Sequence, residues 1–127
     1  MEAIVKGMLK DIIENPVYDE KLIHQYFTDN YTQTVDHSTL DLAHFKQHIR
    51  KLKDLIKHVH VEVINCAGNS NTVFTKHHVY SVLRDGTTNT HKVLAEFKIR
   101  HGKIACCDEL TFLISGSGSG KNLGSVL

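Results

Sequence analysis

Asp108 is the residue whose sequence context points most clearly to chemistry. It lies in a segment with strand-like alternation, and the other residues on its side are all apolar: Ile104, Cys106, Leu110, Phe112 and Ile114. We therefore expect this side to face the protein interior and Glu109, on the opposite side, to be solvated. An ionised carboxylate in the interior is costly unless it is paired. Asp108 is predicted to act as a general acid/base or ligand anchor; the alternative is a structural carboxylate bonded to a helix end, an arginine or a histidine.

His77 occupies a comparable position in segment 72–84, which is rich in β-branched and aromatic residues. We expect the uncharged side of this strand to face inward; it comprises Val73, Thr75, His77, Val79, Ser81 and Leu83. His77 would then approach Asp108 across the interior, as the base and its orienting group do in acid–base catalysis. The alternative is a core histidine satisfied by a backbone carbonyl.

The sequence contains ten histidines, so a metal site has to be considered. His44 and His48 are spaced for one face of a helix, with Asp41 one turn earlier, and this arrangement can bind zinc. The motif contains no glutamate, however, and no third ligand is assured. We predict no metal and no other cofactor. The three cysteines form no Cys-x-x-Cys motif and are interpreted as reduced thiols.

Length and charge narrow the class of protein. With 127 residues, 41% of them hydrophobic, the chain fits a single domain, predicted over 1–114, followed by a flexible Gly/Ser-rich tail at 115–127. Fifteen Lys and Arg residues are balanced by 14 Asp and Glu residues, which argues against a nucleic-acid partner. The apolar stretches are too short to span a membrane, and the N-terminus does not resemble a signal peptide. We therefore expect a cytoplasmic protein.

Hydrophobic spacing predicts helices first and strands afterwards. Helical periodicity covers 2–14 and 18–29, and a third helix is expected to begin after a capping residue, Asp41. From residue 58 the period changes to two. Further strands are predicted at 72–84, 90–100 and 103–114, joined by short turns. Such strands are antiparallel neighbours, which gives an α+β domain with the helices covering one face of the sheet.

Three segments in this order resemble a known family. They are Phe27-Thr-Asp-Asn-Tyr31 after the second helix, the spacing Phe45-x-x-x-Ile49-x-x-Leu52, and the late hairpin Phe97-Lys-Ile-Arg-His-Gly-Lys-Ile104. Over roughly residues 2–114 the chain resembles the SnoaL-like branch of the nuclear transport factor 2-like superfamily. The resemblance implies a cone-shaped α+β domain in which a curved, mostly antiparallel sheet wraps around the N-terminal helices and encloses an apolar cavity.

The resemblance also implies a use for the cavity. Tyr31 would stabilise a ligand oxygen at the cavity rim, and Asp36 and His37 would lie on a loop across its mouth. Three phenylalanines are expected to contact the ligand: Phe45, Phe97 and Phe112. Two functions stay open, namely binding of a small hydrophobic molecule without catalysis, and a cofactor-independent isomerase, cyclase or dehydratase. A homodimer formed through the sheet is expected.

Overall fold

The computed structural model describes residues 1–116, so most of the predicted tail lies outside the described residues. The helical segments form where the apolar spacing predicts them: α1 at Glu2–Met8, continued by a π-helical segment at Leu9–Ile13, α2 at Glu20–Tyr26 and α3 at Leu42–Leu55. Asp41 caps α3 as predicted, because its carboxylate accepts a hydrogen bond from the His44 N–H at 2.9 Å.

The second helix ends earlier than predicted. The chain leaves it at Phe27 and forms β1, Phe27–Val35, in which Tyr31, Gln33 and Val35 are buried and alternate with more exposed residues. A short strand β2, Ser38–Asp41, pairs antiparallel with β1. Neither strand was predicted, because β1 also pairs in parallel with the last strand of the chain, a contact that local periodicity does not reveal.

The remaining strands follow the predicted order and are antiparallel: β3 at Ile56–Asn69, β4 at Thr72–Leu83, β5 at Thr88–Arg100 and β6 at Lys103–Ser115. All six strands form one curved, mixed sheet in the order β2-β1-β6-β5-β4-β3. The turn between β5 and β6 is as short as predicted, with positive φ at His101 and Gly102, as two-residue hairpins require. The predicted α+β architecture is confirmed.

The helices pack against the concave side of the sheet. Three rings from β1 and α3 form the centre of the core, with Phe27, Tyr31 and Phe45 at centroid distances of 4.5 to 5.1 Å. In residues 1–116 every helix falls short of the length and apolarity that crossing a membrane demands. The cytoplasmic location stays a prediction.

Candidate functional site

A cavity of about 320 Å³ lies between the concave side of the sheet and the helices. Most of its lining is apolar and comes from α1, the π-helical segment, α3 and strands β1 and β3–β6. Phe45 and Phe97 are among the lining residues, as predicted for ligand-contacting positions, and their contact with a ligand stays a prediction. Three exposed residues that also line the cavity mark its opening: Pro16, Lys57 and His58.

Lys53 lies near this opening and is tied to the backbone. Its Nζ donates hydrogen bonds to the carbonyl oxygens of Ile12 and Ile13 at 2.6 and 3.0 Å. Burial lowers the pKa of the Lys53 ammonium group to about 8. Lys53 thus holds the end of the π-helical segment against α3 at the mouth of the cavity.

The inward orientation predicted for Asp108 and Phe112 is wrong. Asp108 is exposed on the convex side of the sheet, and the Phe112 side chain is 70% exposed there. The cavity is instead lined by the alternate residues of β6, namely Cys107, Glu109 and Thr111. Glu109, which we expected in solvent, is the carboxylate that faces the interior.

A β-bulge explains the exchange. Lys98 of β5 pairs with Cys106, whereas the next residue, Ile99, pairs with Ile104, so Ala105 is an extra residue in β6. Side chains alternate with a period of exactly two, and one extra residue reverses the side taken by every residue beyond it. Ile104, which precedes the bulge, is therefore buried as predicted, whereas the residues after the bulge face the opposite side from the one predicted.

Glu109 is the most unusual acid of the cavity. Its burial, reinforced by the negative charges of Asp36 and Asp108, raises the pKa of the carboxyl group from 4.5 to about 7. The Gln33 Nε2 amide approaches its Oε1 atom at 3.5 Å, a long hydrogen bond. A carboxyl group with this pKa exists in both protonation states near neutral pH, as a general acid or base must.

Tyr31 lies inside the protein and not at the predicted rim. Its side chain is 1% exposed, lines the cavity and donates a hydrogen bond from the hydroxyl group to Gln33 Oε1 at 2.7 Å. Burial, together with the nearby Cys107 thiol, raises the pKa of the phenol well above its usual value. Because the Gln33 oxygen accepts from Tyr31, its amide nitrogen is turned toward Glu109. Tyr31 therefore positions the amide that contacts the carboxylate.

His77 faces the cavity, which confirms the inward side predicted for β4. It is 3% exposed, and its Nδ1 lies 2.9 Å from Thr75 Oγ1. Burial lowers the pKa of the imidazole from 6.5 to about 4, so the ring is neutral at physiological pH. The predicted approach to Asp108 is wrong because Asp108 lies on the other side of the sheet.

Two more histidines line the cavity, His48 of α3 and His91 of β5, each 4% exposed. Neither residue was predicted to face the interior. Their spacing from apolar residues indicates an inward orientation: His48 follows Phe45 by three residues on a helix, and His91 precedes Val93 by two residues on a strand. His44 is exposed and bonded to Asp41 at 2.7 Å. Within residues 1–116, no three His, Cys, Asp or Glu residues are grouped closely enough to hold a metal ion.

Asp36 and His37 are exposed in the turn between β1 and β2 and are not among the residues that line the cavity, so their predicted place across its mouth is wrong. Asp36 has a positive φ of 54° and links the turn to β6. Its N–H donates to the Glu109 carbonyl at 2.9 Å, and its carboxylate accepts from the Thr111 N–H at 3.0 Å. Asp36 thus holds β6 in place and adds negative charge beside Glu109.

Comparison with known proteins identifies structures with a similar fold. No family model matches the chain. An uncharacterized protein of Schizosaccharomyces pombe is 28% identical over 125 residues, covering 98% of this chain and 95% of that protein. AclR, a candidate hydroxylase from Streptomyces galilaeus, matches with a TM-score of 0.75 and 11% identity over 87% of this chain and 73% of its own.

Two further structures have TM-scores only slightly lower. An LEH-like epoxide hydrolase from M. tuberculosis has a TM-score of 0.73 and 12% identity, covering 87% of this chain and 81% of its own. An NTF2-like protein of unknown function from Exiguobacterium has a TM-score of 0.72 and 16% identity, covering 86% and 98%. The chain therefore has the nuclear transport factor 2-like fold, which confirms the fold that the resemblance implied.

Proposed function

We propose that the protein binds a small, mostly hydrophobic organic molecule in the cavity and transfers a proton on it through Glu109. The observation that supports this proposal is a carboxyl group with a pKa of about 7 in a mostly apolar cavity. At neutral pH such a group accepts a proton from a weakly acidic carbon and, once protonated, returns it. Glu109 ends the cycle in its starting protonation state, so no other proton carrier is needed, as in isomerases, cyclases and dehydratases.

The neighbours of Glu109 support this role. The Gln33 amide is held by Tyr31 and approaches one carboxylate oxygen, which limits rotation of the carboxyl group. His77 adds a neutral imidazole elsewhere in the same cavity, and a neutral ring offers a hydrogen bond without an added charge. Burial in the mostly apolar cavity raises the pKa of the carboxyl group, and its ionised form is therefore a stronger base than an exposed glutamate.

A generic proton-transfer probe tests the proposal. In the Kemp elimination of 5-nitrobenzisoxazole, a base removes the ring C–H proton while the N–O bond breaks, releasing a coloured nitrile phenolate. We expect the protein to accelerate this elimination, with a rate that rises with pH and has an apparent pKa near 7. Glu109→Gln should reduce the rate at least a hundredfold. Asp108→Asn, which neutralises the exposed neighbour, should keep the activity; equal activity in the wild type and Glu109→Gln would contradict the proposal.

Binding without catalysis is the second candidate. The Tyr31 hydroxyl is already committed to Gln33, and His77 is bonded to Thr75, so neither group is poised beside Glu109. If the protein only binds its ligand, the wild type and Glu109→Gln should bind a neutral apolar fluorophore such as N-phenyl-1-naphthylamine with equal affinity. Neither protein should then catalyse the elimination. Fluorescence titration of both proteins distinguishes the two functions.

We also propose that the protein forms a homodimer through the convex side of the sheet. Three apolar side chains cluster there, with Leu94 48%, Leu110 62% and Phe112 70% exposed. Glu96 lies opposite Asp108 at one end of the cluster, and Lys92 lies opposite Phe112 at the other. A two-fold axis that lies in the contact plane and is perpendicular to the strands brings the acidic end of one copy against the basic end of the second.

Light scattering tests the dimer. Phe112→Glu should convert a dimer to a monomer, because it places a negative charge against the acidic end of the second copy. Val17→Glu changes a side chain that is 65% exposed outside the sheet and should leave the mass unchanged. A wild-type protein that is monomeric at tens of micromolar concentration would contradict the proposal.

A further inference from the structure

Lys53 is a cation of the cavity that the proposed proton transfer does not use. It belongs to α3, lines the cavity and is only partly exposed, and burial lowers the pKa of its ammonium group. Two other cations of α3, Lys46 and Arg50, pair with Glu20. In the described part of the chain, by contrast, Lys53 has no ion-pair partner. A partly buried cation without a carboxylate is costly, and this cost calls for an explanation.

The hydrogen bonds of Lys53 leave one of its donors available. An ammonium group has three N–H donors. Two of them bond to the carbonyl oxygens of Ile12 and Ile13, which are neighbours at the end of the π-helical segment. Because the donors are arranged tetrahedrally, the third N–H points away from both carbonyls. Lys53 lies near the cavity opening and is not fully buried, so a molecule that enters the cavity can contact it.

The charged groups around the opening favour a ligand with one negative charge. Lys57, which is exposed, adds a second cation to the lining. Glu14 also lines the cavity, but its carboxylate is bonded toward β3: it accepts a hydrogen bond from the Val61 N–H at 2.7 Å and lies 3.1 Å from His60 Nδ1. The ammonium group of Lys53 therefore stays available to an external anion. One cation with one available N–H matches a singly charged carboxylate better than a doubly charged phosphate.

We propose that Lys53 binds a carboxylate of the ligand at the cavity opening, so that the ligand is an organic acid with an apolar body. This inference rests on the proposed function and adds the ligand class. The carboxylate accepts the third N–H of the ammonium group, and the apolar body lies along the apolar lining on the way to Glu109. Lys53 thereby orients the ligand, with the ionised end at the opening and the carbon that loses a proton inside.

Octanoate and 1-octanol test the site, because they share an apolar chain and differ in the end group. Each is used to displace N-phenyl-1-naphthylamine at pH 6, where octanoate and Lys53 are ionised and Glu109 is mostly protonated. A carboxylate normally enters an apolar cavity far less readily than a hydroxyl group, because its charge must leave water. We expect the wild type to bind octanoate about tenfold more tightly than 1-octanol.

Two variants and a matched control assign this preference to one side chain. Lys53→Gln keeps an N–H donor for the backbone carbonyls but has no charge, and Lys53→Met has neither. Both should bind 1-octanol as the wild type does and octanoate no more tightly than 1-octanol. Lys51→Gln removes an exposed lysine of the same helix that does not line the cavity, and it should keep the preference. Circular dichroism checks that the variants fold, and the wild-type comparison tests the site even if they do not.

The outcomes separate the two proposals. If neither probe displaces the fluorophore, the proposed binding function is wrong, and the carboxylate site with it. If 1-octanol displaces the fluorophore and octanoate binds no more tightly to the wild type, the carboxylate site is wrong while the cavity stands. An undiminished preference for octanoate in folded Lys53→Gln would also overturn the site, because the carboxylate would then be bound by another group.

Discussion

Replacing Glu109 by glutamine should stabilise the protein in a pH-dependent way. The pKa of Glu109 is about 7 in the folded protein, against 4.5 for an ordinary glutamate. The folded state therefore binds more protons than the unfolded state between these values, and the stability that this carboxyl group contributes is complete below pH 4.5 and is lost as the pH rises to 7. A difference of about 2.5 pKa units corresponds to roughly 3 kcal/mol. Glutamine is neutral at every pH and avoids this loss.

Urea unfolding at pH 4.5 and pH 8 measures the effect. We expect Glu109→Gln and the wild type to have similar free energies of unfolding at pH 4.5, and the variant to be more stable by about 3 kcal/mol at pH 8. Asp108→Asn is the matched control: it removes an exposed charge and should change the free energy of unfolding by less than about 1 kcal/mol at either pH. An equal effect of Glu109→Gln at both pH values would refute the assignment of Glu109 to the cavity.

Three further substitutions test other parts of the argument. The pKa of His77 is about 4 in the folded protein, against 6.5 for an ordinary histidine, so burial of the neutral ring lowers the free energy of unfolding as the pH falls from 6.5 to 4. His77→Asn removes this penalty. Relative to the wild type, its free energy of unfolding should therefore be about 2 kcal/mol more favourable at pH 5 than at pH 7, measured by urea unfolding. Asp41→Ala should lower the free energy of unfolding by about 1 kcal/mol through loss of the α3 cap, whereas Asp54→Ala, in the same helix, should not. Gly102 has a φ of 74°, so Gly102→Ala should cost about 1 kcal/mol in chemical denaturation, compared with a smaller change for Gly68→Ala.

The sequence alone predicts the structure correctly where the hydrophobic pattern is local and regular. The inward side of β4 was correct because strand pairing between β4 and β5 is continuous from Thr72 to Val82, so the period of two holds throughout. The buried side of β5, which carries Val93 and Phe97, was predictable for the same reason. The α3 cap at Asp41 depends only on neighbouring residues, and it too was predicted.

The sequence is insufficient where distant segments decide the structure. Segment 27–29 was assigned to a helix, yet it enters a strand because β6 offers a parallel partner that lies 77 residues later, at Ile104 opposite Phe27. The bulge at Ala105 leaves no mark in the pattern: the apolar residues after it, Leu110 and Phe112, alternate as buried residues would, but they lie on the exposed side. In sequence, a strand with apolar residues on its exposed side has the same pattern as a strand with apolar residues in the core. Only the pairing register with the neighbouring strand distinguishes the two cases.

The same bulge sets the chemistry of the site. Asp108 and Glu109 are adjacent carboxylates with nearly equal intrinsic pKa values. Because Ala105 shifts the phase of β6, only Glu109 enters the cavity, where burial is the largest cause of its raised pKa. Asp108 is left outside, close enough to raise the pKa of Glu109 further. One extra residue thus separates two similar acids: the inner one can exchange a proton near neutral pH, and the outer one stays exposed, where its negative charge adds a smaller contribution to the raised pKa of the inner one.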